Sequence, residues 1–180
     1  MQGSKGLWSG VQVKKFNNHN KVEAVSKVTF YMETTKIEVD RTVAEIQMVL
    51  GRSGCCGVMT LFDENKEVSA VAFKILFLDR EVAFKLPARW LPIYEELRSR
   101  VKKARKNTDA ELQAQAKRIA WRQILRWVEA QLALVDAGMV KVFEVFLPYV
   151  QSGAEGKTLY ERIEQTGGKF LLSYTQSEQG

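Results

Sequence analysis

The stretch DAELQAQAKRIAWRQILRWVEAQLALVDAG, running from Asp109 to Gly138, decides how the rest of this chain is arranged. Leu112, Ala116, Ala120, Ile124, Trp127, Val128 and Leu134 recur at three- and four-residue steps, the period of a helix with one apolar face. Thr108 and Glu111 have the spacing of a capping box, and Gly138 stands where a left-handed C-terminal residue is wanted. One long amphipathic helix is therefore predicted. Arg118, Arg122 and Arg126 step by four along it, and Trp121 and Leu125 flank that ridge. An apolar face of such width calls for burial against more than one neighbour.

The helix stands in the second half of a 180-residue chain, long enough for one domain with a real core. Nine Phe and four Trp within a 46% hydrophobic composition argue against general disorder. No apolar run approaches the ~18 residues that a membrane span requires, and the N-terminus lacks the apolar segment of a secretory signal. A cytoplasmic protein is expected. The two cysteines, Cys55 and Cys56, are adjacent, so a disulfide between them is strained and reduced thiols are expected. With His19 the sole histidine, neither a Cys/His zinc site nor a His-based catalytic triad is available.

Upstream of the helix the chain reads as strands with a helix among them. Residues 1–21, rich in Gly, Ser, Asn and Lys, are predicted to be a flexible extension. VEAVSKVTFYM at 22–32 and TKIEV at 35–39 have strand propensity. A helix follows, with Thr42 and Glu45 at capping-box spacing and Val43, Ile46, Val49 and Leu50 as its buried stripe. Three strands come next, at 57–62, 68–78 and 82–86. The polar turn DENKE separates the first two, and Asp79–Arg80 turns the chain into the third. Val71, Phe73, Ile75 and Phe77 alternate with smaller or polar residues, as one packed face of a sheet requires.

After Pro87 the pattern becomes helical. A helix is predicted from about Leu91, with Pro92 in its first turn and Tyr94, Leu97, Val101 and Ala104 as its stripe. KKARKNTD links it to the long helix. Beyond Gly138, Phe143, Phe146, Leu147 and Tyr149 belong to a short helix or turn stopped near Pro148. QSGAEGK is a loop, and Thr158 with Glu161 caps a last short helix, TLYERIEQ. The prediction is thus an α+β fold: a small antiparallel sheet with one packed helix, then a helical C-terminal half. One domain spans 22–173, its sheet part 22–87 and its helical part 88–173, before a frayed tail at 174–180.

AWRQILRWVEAQLALVDAGMVKVFEVFLPYV followed by GKTLYERI resembles the C-terminal half of a family of small uncharacterised phage and prophage proteins. TKIEVDRTVAEIQMVLGRSG and AFKLP at 83–87 are similar to its N-terminal half, so the likeness covers roughly residues 33–166. Genes of this type lie near replication and recombination genes. The resemblance implies a nucleic-acid setting inside a bacterial host and brings no catalytic residue with it.

The charge distribution points the same way. Net charge is +6, but ten basic residues fall between Arg98 and Arg126 against only Asp109 and Glu111. Arg98, Arg100, Lys102, Lys103, Arg105, Lys106, Lys117, Arg118 and Arg122 are therefore the candidate phosphate contacts, with Trp90, Tyr94 or Trp121 as candidate stacking partners for bases. A solvated helix face without a partner is the plainer account of such charges. The aromatic helical half also offers a seam for self-association.

Other motifs are weaker. EGKT at 155–158 suggests a phosphate loop, but Gln151 stands where the motif needs glycine, and a loop plus a helix cap explains it. DENK at 63–66 contains the Glu-x-Lys element of metal-dependent nucleases, yet it sits at a hairpin tip rather than within a strand. Cys55–Cys56 has only Arg52 nearby to activate a thiol. The expectation is a non-enzymatic nucleic-acid-binding protein without cofactor or metal. The alternatives are a protein-binding inhibitor of a host nuclease-type defence and, behind it, a nuclease using Asp63 and Glu64.

Overall fold

The computed structural model describes residues 29–101, 108–152 and 156–168. The chain is α+β. Its sheet is a meander of β1 (Gly57–Phe62), β2 (Val68–Phe77) and β3 (Arg80–Pro87), antiparallel in the order β1-β2-β3. The polar turn after β1 forms because Asp63 Oδ1 accepts from the backbone N–H groups of Asn65 and Glu67, each at 2.9 Å. Lys66 there takes the left-handed conformation at φ 62°. The β2–β3 turn is tighter: Leu78 and Asp79 both have positive φ, 48° and 59°, and Phe77 pairs with Arg80. This two-residue geometry matches the right-handed twist of the strands. The predicted turn at Asp79–Arg80 lies one residue earlier than expected, at Leu78–Asp79.

One face of the sheet carries the core. Val71 and Phe73 from β2 and Phe84 and Leu86 from β3 are buried, and the Phe73 and Phe84 rings stack at 4.9 Å between centroids. Three helices cover that face: α1 (Val39–Arg52), α3 (Thr108–Asp136) and α4 (Val142–Phe146), with Val43, Ile46, Leu50, Trp121, Leu125, Val128 and Phe146 inserted. A second, smaller core joins α2 (Leu91–Ser99) to the first half of α3 through Ile93, Leu97, Ala116 and Ile119. The long helix thus spans two cores, the reason for its wide apolar face. Its burial axis is rotated from the predicted stripe: Trp121 and Leu125 are at the centre, whereas Ile124 and Trp127 are half-buried.

Gly138, at φ 70°, ends α3 as predicted. Its N–H donates to Val135 O at 2.9 Å and that of Met139 to Leu134 O at 3.0 Å, the paired pattern of a Schellman cap. A 3-10 turn at Leu147–Tyr149 follows α4 and leads to a two-residue ladder of β4 (Gln151–Ser152) with β5 (Lys157–Thr158). Thr158 then caps α5 (Leu159–Gln165): Glu161 N–H donates to Thr158 Oγ1 at 3.1 Å, and Glu161 accepts from the Thr158 N–H at 2.8 Å.

Two predictions are corrected. No strand forms at 29–32 or 35–39; residues 31–34 make a turn, with Met32 at φ 64°. The rest of the 22–32 prediction lies outside the described residues, as do the predicted extension and tail. The segment lies along α3 instead. Gln115 donates to the carbonyls of Glu33 and Thr35, at 2.6 and 3.1 Å, and Gln123 to that of Tyr31 at 3.0 Å. Side-chain amides satisfy backbone groups that a strand neighbour would otherwise take, so β propensity alone does not decide the outcome. The first helix also begins earlier than its capping box. Thr42 is fully buried within the first turn, donating to Glu38 O at 3.2 Å, and Glu45 turns instead to Arg122.

Candidate nucleic-acid interface

The predicted basic patch is built mostly of paired charges. Arg98 on α2 lies 2.5 Å from Asp109 on α3, and Tyr94 donates its hydroxyl to the same carboxylate at 3.0 Å. Arg100 reaches Glu33 at 2.8 Å and Glu96 at 3.1 Å, with its guanidinium over the Phe30 ring. Lys117 pairs with Glu67 from the β1–β2 turn and covers the Trp90 ring at 4.8 Å. Arg118 is held by the Gln115 amide oxygen at 2.7 Å and lies 3.5 Å from Glu38. Arg126 pairs with Glu129 at 2.6 Å, one turn along the same helix.

Arg122 requires a correction. It is only 4% exposed, sits between α1 and α3, and is 2.5 Å from Glu45, with its Nε lacking any partner among the described residues. A phosphate cannot reach it, and its role is structural. The hydrogen bond from Arg122 holds the Glu45 carboxyl below its ordinary range, against the opposing effect of burial. No local spacing points to this pairing, because Glu45 and Arg122 are 77 positions apart.

Lys102, Lys103, Arg105 and Lys106 lie outside the described residues, between α2 and α3. Counting charges by segment separates them from the rest. The described residues contain 17 Lys and Arg against 18 Asp and Glu, out of 27 and 21 in the whole chain. The excess positive charge therefore resides in two stretches of sequence. One is 102–107 and the other is 1–28, which holds Lys5, Lys14, Lys15, Lys21 and Lys27 against Glu23. The ends at which both stretches join the described body are neighbours, since Arg100 bonds to Glu33 and packs on Phe30.

The candidate stacking residues also change. Trp121 is buried, and Trp90 and Tyr94 are engaged with Lys117 and Asp109. Exposed ring surface gathers elsewhere. Trp127, Tyr149 and Tyr160 line a cavity of about 550 Å³ between α3, the 3-10 turn and α5. Sequence spacing did not show this, because the rings come from three separate elements.

The remaining motifs have local explanations. Asp63 is occupied by the turn backbone, and no group of three or more His, Cys, Asp or Glu able to hold a metal occurs among the described residues. Gly156, Lys157 and Thr158 make a turn, a strand pair and a helix cap, with the Thr158 hydroxyl taken by Glu161. Burial pushes the Cys55 thiol up to about 11. No described helix is long and apolar enough to cross a membrane. No protein family, curated protein or solved structure compared with the chain matches it.

Proposed function

We propose that this protein binds nucleic acid without chemistry, in the phage or prophage setting its sequence resembles, and that Lys102, Lys103, Arg105 and Lys106 carry the phosphate contacts. One observation supports this most. Each described cation in the 98–126 window already has a carboxylate nearby, and the other four cations of that window, Lys102, Lys103, Arg105 and Lys106, stand together in sequence with no acidic residue among them. Four cations within five residues attract phosphates by counterion release and read no bases. The secondary contacts are Arg98, Arg100, Lys117 and Arg118, at the expense of their internal partners.

The test is binding of single- and double-stranded DNA and RNA by fluorescence anisotropy across a salt series, with and without Mg²⁺. Binding without cleavage is expected, weakening steeply with salt. Replacing Lys102, Lys103, Arg105 and Lys106 together by Gln is expected to abolish most of the salt dependence while leaving the thermal melt unchanged. A flat salt response in the unaltered protein refutes the proposal. Cleavage lost in Glu64→Ala replaces it with nuclease chemistry. Neither binding nor cleavage leaves an acidic or nucleic-acid-binding host protein as the partner.

A further inference from the structure

The cavity beside the long helix has a composition of its own. Trp127 and Tyr149 form one wall, their ring centroids 5.2 Å apart at 53°. Tyr160 of α5 also lines it and lies under the guanidinium of Arg89, 5.0 Å from the ring centroid. Among the described residues Arg89 is the only charged residue in the lining, and it has no carboxylate partner. Gln123 also lines the cavity and donates one amide proton to Tyr31 O at 3.0 Å. The lining thus combines three aromatic rings with one guanidinium and one side-chain amide.

We infer that this cavity takes one unstacked nucleotide of a single strand, its base against Trp127, Tyr149 and Tyr160 and its phosphate at Arg89. This rests on the nucleic-acid reading above and adds a strand preference to it. Aromatic faces accept any base by stacking, and a guanidinium already placed over a ring offers its edge to a phosphate oxygen. Among the described residues the lining holds a guanidinium and no carboxylate, with Glu164 reaching the Tyr160 hydroxyl at 3.4 Å from outside it, which favours an anion over a cation. A cavity of about 550 Å³ is large enough for a nucleotide, whereas a base paired inside a duplex cannot enter it. From Gln123 to the start of α3 at Thr108 is about 22 Å along the helix axis. That distance is within reach of one strand occupying a site of ~4–16 nucleotides.

Tyr160→Ala and Arg89→Gln test this at exposed side chains, and Trp127→Leu is compared with them as the more disruptive change. Each is titrated by anisotropy with a labelled single strand of about a dozen nucleotides and with a duplex of the same sequence. The expected result is about a tenfold weaker single-strand affinity for Tyr160→Ala, the loss of one stacked base, with duplex affinity changed less than about twofold. Arg89→Gln is expected to weaken single-strand binding at least about threefold more than duplex binding. If Tyr160→Ala and Arg89→Gln leave single-strand affinity unchanged while the 102–106 glutamine variant loses it, the cavity assignment is wrong and the nucleic-acid reading stands. Equal losses on both forms also overturn the assignment. No binding of any oligonucleotide by the unaltered protein overturns both.

Discussion

Glu45→Gln should cost more than removing Arg122, although Arg122 is the more deeply buried partner. The pair is 2.5 Å apart between α1 and α3, with the Arg122 side chain 5% exposed and that of Glu45 28% exposed. Neutralising Glu45 strands a guanidinium in the core. Breaking a buried pair this way costs about 3–5 kcal/mol, and the water reaching Glu45 puts the expectation at the lower end, about 3 kcal/mol. Arg122→Met removes the buried charge together with its unpartnered Nε, and leaves Glu45 with Arg41 at 3.4 Å on the same helix. Its expected cost is about 0–1 kcal/mol, and the double variant should match it. In urea, with m near ~2 kcal/mol/M, Glu45→Gln should lower the unfolding midpoint by about 1.5 M and Arg122→Met by less than about 0.5 M. The sign with pH follows from the lowered Glu45 pKa. The stabilisation is full above the ordinary 4.5 and is lost as pH falls through the depressed folded value. The unaltered protein and Glu45→Gln should therefore converge in stability below that range. An Arg122→Met midpoint as low as that of Glu45→Gln would refute the reasoning, because the guanidinium would then be a net stabiliser in its own right.

Two further predictions concern single positions. Gly138→Ala meets no atom within 4 Å, so only the left-handed backbone at φ 70° opposes it; a loss of about 1 kcal/mol is expected in urea melts, and no loss would mean that the cap does not hold this geometry. At pH 8 a disulfide-exchange reagent should modify one thiol per chain rapidly, and mass spectrometry should place it at exposed Cys56. Cys55, half-buried and raised to about 11, should react on the order of a hundredfold more slowly, and equal rates at both thiols would contradict that desolvation.

The elements whose signals are local were the legible ones. The three-strand meander, Pro92 in the first turn of α2, the Gly138 cap and the Thr158–Glu161 box each depend on residues a few positions apart. The errors share one cause. Thr42 and Glu45 have the same capping spacing as Thr158 and Glu161, yet Glu45 is recruited by Arg122, a partner from another element. TKIEV has strand propensity, yet Gln115 supplies hydrogen bonds from a helix 80 positions away. Trp127 and Tyr149 read as core and Tyr160 as part of a short capped helix, and no spacing relates the three. Long-range partners override local preference wherever burial or a charge makes them stronger.

The same reasoning decides how much of the basic window can bind nucleic acid. A phosphate that displaces Glu67 from Lys117 or Glu33 from Arg100 releases its own counterion but exposes a carboxylate that recruits another. The net release is small, so paired cations add little to the salt dependence even where they touch the strand. Contacts from the four cations at 102–106 alone give a slope of log K against log salt of about −3.6 on duplex DNA, whereas all nine cations of the window other than buried Arg122 would give about −8. A slope near the larger value would mean that Glu33, Glu38, Glu67, Asp109 and Glu129 swing away from their cations on binding. The ion pairs would then be a latch rather than a scaffold, and the long helix would itself be the binding surface.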